Sequence, residues 1–246
     1  MHLVTDVGNT RIKVAVFESD IISEQNFFLK SGFLETIKYF FQKYPKIDHW
    51  TVVSVTDYPI VEINQIENLF DVRANMISKT SNFPFHNKYA TPETVGLDRL
   101  VLAAGATILY PNQNRLVIDA GTCVTFDVID DQNQYLGGAI SLGLQMRYQS
   151  LHHYTAKLPL LEAKMPNHWI GNSTETSIHV GVVNGLIAEI NAFTDQFIAT
   201  NENFTIILTG GDTLFLAKRL KNTIFANSNF LLESLNAIFQ YQNHND

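Results

Sequence analysis

Asp6-Val7-Gly8-Asn9-Thr10-Arg11-Ile12-Lys13 and Asp119-Ala120-Gly121-Thr122-Cys123-Val124-Thr125 share one pattern: an Asp-x-Gly turn between two apolar runs. Each such turn offers a carboxylate, exposed backbone N–H groups and a hydroxyl or amide. Gly8 lets the backbone approach an anion, and the N–H groups of Gly8, Asn9 and Thr10 can form an anion nest. Lys13 can set a point charge on a phosphate oxygen. Asp6 is suited to hold Mg²⁺ through water rather than to touch phosphate. In the second turn, Asp119 can bind a cation and Thr122 a terminal phosphate. A plain hairpin explains either copy alone; the recurrence points to a nucleotide polyphosphate and its metal.

A third group, Gly96-Leu97-Asp98-Arg99, opens a predicted helix. Asp98 can complement the helix dipole or take the proton of an attacking hydroxyl. Arg99 can form a surface pair or bind a substrate carboxylate, which its planar fork suits. The long irregular segment 78–92 before it, which can fold over a small substrate, favours the functional reading. Cys123 reads as a small buried residue, since no adjacent His lowers its pKa. Gly137-Gly138 and Gly210-Gly211 read as turns; the second, leading into a helix capped by Asp212, can take an adenosine or phosphate group. Neither a P-loop nor a dinucleotide-binding glycine motif occurs. The eight histidines have no metal-ligand spacing, and His152-His153 is expected to be solvated or packed.

The elements that must position these groups follow from periodicity. Strands are expected at 2–6, 12–18 and 21–29, a helix at 33–43 with Phe33, Leu34, Ile37, Phe40 and Phe41 on its apolar side, a strand at 50–55, and helices at 60–70 and 97–109. The pattern restarts with strands at 115–119, 123–129 and 134–140 and a helix near 144–154. A long helix is expected over 174–199, then a strand at 204–208 and helices at 213–221 and 230–240, with a frayed tail. Three strands then helix–strand–helix, twice, predicts a duplicated α/β unit, its halves side by side and the Asp-x-Gly turns at their interface. The expected division is 1–112 and 113–246.

Composition bounds the class. Of 246 residues, 46% are apolar and 17% charged, enough for a real core. The net charge of −7, with no Lys/Arg block, argues against nucleic acid as the main partner. A single cysteine fits a reducing compartment, and no apolar run approaches a membrane span. A soluble cytoplasmic protein is expected, and the Asn-x-Ser/Thr matches at Asn172 and Asn203 are read as chance.

Together, residues 6–13, Gly96–Arg99, Asp119–Thr122 and Thr209-Gly210-Gly211-Asp212, in this order and spacing, resemble the type III pantothenate kinases of the acetate and sugar kinase/Hsp70/actin superfamily. The resemblance covers essentially the whole chain. It implies a duplicated ribonuclease H-like (actin-like ATPase) α/β fold, with two similar halves around a nucleotide cleft. It implies ATP-dependent phosphorylation of pantothenate, opening coenzyme A biosynthesis, in a cytoplasmic homodimer needing Mg²⁺ and K⁺ or NH₄⁺. On this resemblance Asp6, Val7, Gly8, Asn9, Thr10, Arg11, Ile12, Lys13 and Thr122 hold ATP phosphates, and Asp119 helps bind the monovalent cation. Asp98 is the base. Tyr89, Gly96, Leu97, Asp98 and Arg99 bind pantothenate, and Thr174 matches a substrate-binding threonine contributed by the dimer partner. Cys123 stands where the family usually has Ala, Leu142 where Pro is common, and Ser177 where Ala is customary. Two other readings keep the fold: a kinase of the same superfamily with another small hydroxylated acceptor, and a non-catalytic transcriptional accessory factor. The intact Asp6, Asp98 and Asp119 and the lack of a basic patch argue against the last.

Overall fold

The computed structural model describes residues 1–8, 11–54, 59–220 and 224–245. By internal contacts the chain forms two compact units, Met1–Leu109 with Phe230–Asp246, and Tyr110–Asn229.

In unit 1 the strands are β1 (His2–Val7), β2 (Ile12–Glu18), β3 (Ile21–Phe28), β4 (His49–Ser54), β5 (Ala74–Ile77) and the two-residue β6 (His86–Asn87), with helices α1 (Phe33–Lys43), α2 (Ile60–Phe70) and α3 (Leu97–Leu109). The sheet order is β3-β2-β1-β4-β5, with β1 antiparallel to β2 and parallel to β4. β1 is buried along its whole length, as a central strand covered on both faces must be. Phe33, Ile37, Phe40 and Phe41 of α1 pack in the core with Leu3, Val14 and Trp50. The indole N–H of Trp50 donates to the Thr5 hydroxyl at 3.0 Å, so the ring is buried without an orphaned donor.

Unit 2 repeats the plan. It holds β7 (Asn114–Ala120), β8 (Cys123–Ile129), β9 (Gln134–Leu142), α4 (Leu144–His153), α5 (Thr174–His179), α6 (Gly185–Thr200), β10 (Phe204–Thr209), α7 (Thr213–Leu216) and β11 (Ile224–Ala226). Within the unit the order is β11-β10-β7-β8-β9, with β7 antiparallel to β8 and parallel to β10. First strand for first strand, this is the order of the first sheet: the duplication is one of topology as well as of motif.

Several local expectations change. Gly137-Gly138 is not a turn but lies inside β9, beside a register shift at Val128/Ile129. A Cβ on Gly138 would sit 1.6 Å from the Phe126 carbonyl oxygen, so only glycine lets the strands approach there. The long helix is interrupted by a π-helical turn, Val180–Asn184, between α5 and α6. Val183, Leu186, Ile187 and Ile190 are nevertheless all buried. The helix expected over 213–221 is α7 followed by a 3₁₀ turn at Ala217–Arg219. The tail expected to fray continues the last helix, α8 (Phe230–Asn245).

α8 belongs by its contacts to unit 1, although it follows all of unit 2 in sequence. It packs on α3, where Gly105 admits it: a Cβ there would lie 1.9 Å from the Ser234 hydroxyl and 2.8 Å from the Ser234 Cα. Gly105→Ala is therefore expected to destabilise the protein by about 3 kcal/mol through overpacking. Gly185→Ala, where nothing lies within 4 Å of the new methyl, is expected to be neutral or to stabilise α6 by up to about 1 kcal/mol. Urea midpoints of the two variants check the contrast.

α8 also carries Asn236, whose side-chain oxygen lies 2.8 Å from Nδ1 of buried His2. Asn236 Nδ2 donates to the Ser19 carbonyl, so the amide oxygen is the acceptor and His2 Nδ1 the donor. Nε2, 2.8 Å from the Thr51 hydroxyl, then accepts. Burial lowers the His2 pKa from 6.5 to about 4, partly opposed by the bond to Asn236. The folded state thus takes up this proton later than the unfolded chain does. The contribution is present above pH 6.5 and lost as pH falls toward 4, amounting to about 3 kcal/mol. Urea unfolding between pH 7 and pH 4 should show this slope, and His2→Gln should flatten it.

Candidate active site

The first Asp-x-Gly turn joins β1 to β2. Asp6 is buried near the end of β1, directly across the pair from half-buried Lys13. The Gly8 N–H donates to the Arg11 carbonyl at 3.2 Å, closing the turn on itself. That N–H is therefore engaged within the turn and does not point into an anion nest, which corrects the expectation for this group. A Cβ on Gly8 would lie 3.0 Å from the same carbonyl oxygen, so a side chain there would press on the Arg11 carbonyl. Val7 and Ile12 are fully buried and anchor the turn in the core; Arg11 is exposed. Asn9 and Thr10 fall outside the described residues.

The second turn, between β7 and β8, closes on itself more tightly, Gly121 N–H donating to the Cys123 carbonyl two residues on at 2.9 Å. Asp119 is half-buried and Thr122 exposed. Two glycines distant in sequence press against this turn. A Cβ on Gly143 would come within 2.1 Å of the Thr122 carbonyl oxygen and 2.3 Å of that of Gly121. One on Gly210 would meet the Ala120 carbonyl oxygen and Asp119 Oδ1 at 2.4 Å each, and Gly210 also has φ +97°. The Asp212 N–H donates to the Ala120 carbonyl at 2.9 Å, stitching the Gly-Gly turn to the Asp-x-Gly turn. Asp212 holds the N-cap position of α7, but its carboxylate accepts no bond from that helix, so it is not the cap that was expected. Burial raises its pKa. Cys123 is half-buried rather than buried, its sulfur 4.0 Å from that of Met146. The role of Gly143 has no local signature: it becomes visible only when the end of β9 is laid against the turn.

The Gly96–Arg99 group sits at the start of α3. Asp98 Oδ1 accepts from the Arg99 N–H at 2.8 Å, which orients the carboxyl at the helix N-terminus. A Cβ on Gly96 would stand 2.5 Å from that oxygen, so glycine at 96 is what lets Asp98 take this pose. Arg99 is 4% exposed, with its guanidinium carbon 5.7 Å from the centre of the Tyr89 ring. The 78–92 segment thus returns to the start of α3. Lys79 Nζ also donates to the Glu93 carbonyl, and a 380 Å³ cavity lies among Lys79, Ser81, Asn82, Phe83, Asn87 and Leu100.

Thr174 is exposed at the first position of α5, behind a capping box in which Ser173 accepts from the Thr176 N–H at 3.2 Å. With Leu151, Leu158, Ser177, Ile178 and Gly181 it lines a 490 Å³ groove beside the π-helical turn. His152 and His153 are exposed, and His152 Nδ1 lies 2.7 Å from the Leu158 carbonyl oxygen. Among the described residues no three His, Cys, Asp or Glu side chains gather into a metal-binding cluster. Also among them, no helix is long and apolar enough to cross a membrane.

Two solved structures share this architecture across nearly their whole length. One is a protein of Campylobacter jejuni described as a Baf family transcriptional activator, with TM-score 0.68 and 19% identity, covering 98% of this chain and 99% of its own. The other is a glucokinase from an Antarctic psychrotroph, with TM-score 0.51 and 12% identity, covering 98% of each chain. With two sheets of matching order, each with an Asp-x-Gly turn after its first strand, the fold is that of the actin-like ATPases and sugar kinases.

The sequence narrows the class further. The family profile described as type III pantothenate kinase matches residues 2–196. A type III pantothenate kinase of Flavobacterium johnsoniae is 54% identical over 246 residues, the full length of both chains. The chain belongs to the type III pantothenate kinase family.

Proposed function

We infer that this protein transfers the γ-phosphoryl group of ATP to the terminal hydroxyl of pantothenate, giving 4'-phosphopantothenate and ADP and opening coenzyme A biosynthesis. Family membership supports the reaction. The observation that carries the assignment of roles is the start of α3, where an oriented carboxyl at Asp98 adjoins a buried guanidinium at Arg99 set over the Tyr89 ring. Asp98 accepts the hydroxyl proton as the oxygen attacks phosphorus and the bond to the ADP oxygen breaks. Arg99 binds the pantothenate carboxylate, and Tyr89, Gly96 and Leu97 complete the acceptor site. The turn within residues 6–13, anchored in the core by buried Val7 and Ile12 and flanked by Lys13, holds the ATP phosphates together with Thr122.

The residues present fit the ions that the reaction needs. Mg²⁺ keeps several waters and asks for one or two carboxylates beside substrate phosphates, and Asp6, buried at the end of β1, can serve it through water. Asp119, half-buried beside the second phosphate turn, would offer a carboxylate oxygen to K⁺ or NH₄⁺. The metal supplies charge neutralisation on the phosphates; the chain's own part is positioning and proton acceptance. Thr174, exposed on α5, is assigned to the pantothenate site of a second copy in a cytoplasmic homodimer.

A coupled ADP-release assay with Mg·ATP tests this reading. Turnover should require pantothenate and rise when Na⁺ is replaced by K⁺ or NH₄⁺. No pantothenate-dependent turnover at millimolar ATP would remove the proposal.

A further inference from the structure

We propose that Arg147 is a positioning residue for the 119–122 phosphate turn, acting through the corner between β9 and α4. The proposal rests on the assignment of Thr122 and its turn to ATP phosphate. At that corner β9 ends with Leu142 and α4 starts from Gly143. Leu142 lies across the ladder from Cys123, the residue that follows the turn, and Ser141 from Val124. Gly143 then approaches so closely that its missing Cβ would stand 2.1 Å from the Thr122 carbonyl oxygen. The corner is therefore the floor on which the phosphate turn rests, and displacement of one moves the other.

Nothing in the covalent structure stiffens this corner. Leu142 is an ordinary residue at the end of a strand, and Gly143 is the least restrained residue type. The stiffening comes from Arg147, one turn into α4. Its Nε donates to the Leu142 carbonyl at 2.9 Å, and one terminal nitrogen donates to the Ser141 hydroxyl at 3.1 Å and to Glu189 Oε2 at 2.5 Å. Its backbone N–H donates to the Gly143 carbonyl at 3.1 Å. The backbone bond is the first turn of α4 and belongs to any residue at this position; the guanidinium alone grips the Leu142 carbonyl and the Ser141 hydroxyl and ties them to Glu189 on α6. The two charged side chains are 19% and 25% exposed, more sheltered than an ordinary surface pair. The planar fork of arginine meets three acceptors at once, which a lysine ammonium on a flexible stem cannot do.

The turn grips ATP phosphate in the ground state as well as during transfer, so loosening it weakens nucleotide binding more than chemistry. Arg147→Ala should raise KM for ATP about tenfold, leaving kcat within about threefold and KM for pantothenate unchanged. Arg147→Lys keeps the pair with Glu189 but not the fork, and should raise KM for ATP about threefold. Thermal unfolding is recorded on the same samples; a purely structural role would lower Tm with no change in KM for ATP. If Arg147→Ala does not accumulate as folded protein, Arg147→Lys decides. A folded variant whose KM for ATP stays within about 1.5-fold of the native value overturns the proposal, whatever its Tm. If the native protein shows no pantothenate-dependent turnover, the assigned reaction has failed and the proposal is read on Mg·ATP affinity by titration calorimetry, with the same fold-changes expected. Unchanged affinity, or a native protein that binds no ATP, overturns it.

Discussion

Asp98→Asn is expected to lower kcat about a thousandfold while KM for pantothenate stays within about threefold. The amide is isosteric with the carboxyl, and its oxygen can still accept from the Arg99 N–H as Asp98 Oδ1 does at 2.8 Å. The start of α3 should therefore keep its shape, and Gly96 leaves the same space. What the amide cannot do is hold the proton released by the attacking hydroxyl. Pantothenate binding followed by calorimetry separates a lost base from a lost site. An unchanged kcat would take Asp98 out of the chemistry, and a kcat loss accompanied by lost pantothenate binding would make it a binding residue instead.

Gly210→Ala should damage the nucleotide side. At φ +97° an alanine is strained whatever its surroundings. Its methyl would also strike the Ala120 carbonyl and the Asp119 carboxylate at 2.4 Å, both belonging to the turn assigned to phosphate and to the monovalent cation. The backbone carbonyl cannot rotate away without breaking the bond from the Asp212 N–H. A loss of about 3 kcal/mol in stability is expected. In whatever fraction folds, KM for ATP should rise more than tenfold, to about the level where a displaced binding group costs two orders of magnitude. Gly211→Ala is the control: nothing lies within 4 Å of its new methyl, and it should stay within about 0.5 kcal/mol of the native protein. Equal behaviour of the two variants would show that the Gly-Gly turn does not brace the phosphate turn.

The local structure around the short contiguous motifs proposed for the site was legible in the sequence. Asp6 and Lys13 lie near the ends of the strands that flank the first Asp-x-Gly turn, and Asp119 near the end of β7 before the second. Gly96 to Arg99 open α3, so in each case residue type and near neighbours dictate local geometry. Central strands such as β1 and β8 announce themselves by apolar content, and α1 by its spacing of phenylalanines. β5 and β11 were missed for a physical reason. They are short edge strands with mostly exposed or half-buried residues, so neither continuous burial nor strict alternation marks them. The packing of α8 on α3 admits Ser234 beside Gly105, and the bracing of Thr122 depends on Gly143. Both are contacts between backbones far apart in sequence, set by the absence of a side chain. A glycine in a sequence shows what is missing at that position and nothing of what comes to fill the space. The π-helical turn at 180–184 was hidden similarly, because its apolar residues continue the helical spacing of their neighbours.

The return of α8 to the first unit bears on how the protein is made. Unit 2 is continuous from Tyr110 to Asn229, so all its internal contacts can form once that stretch has emerged during synthesis. Unit 1 waits. Its sheet is translated first, yet the groove over α3 beside Gly105 stays open to solvent until residues 230–245 arrive. The closing contacts have high sequence separation and are the slow kind to form. A nascent chain therefore carries an exposed apolar face on its earliest unit for the whole time that the later one is being built. This is the interval in which a chaperone has something to hold. Translation slowed within 110–229 would lengthen that interval and lower the soluble yield, with no change in the finished protein.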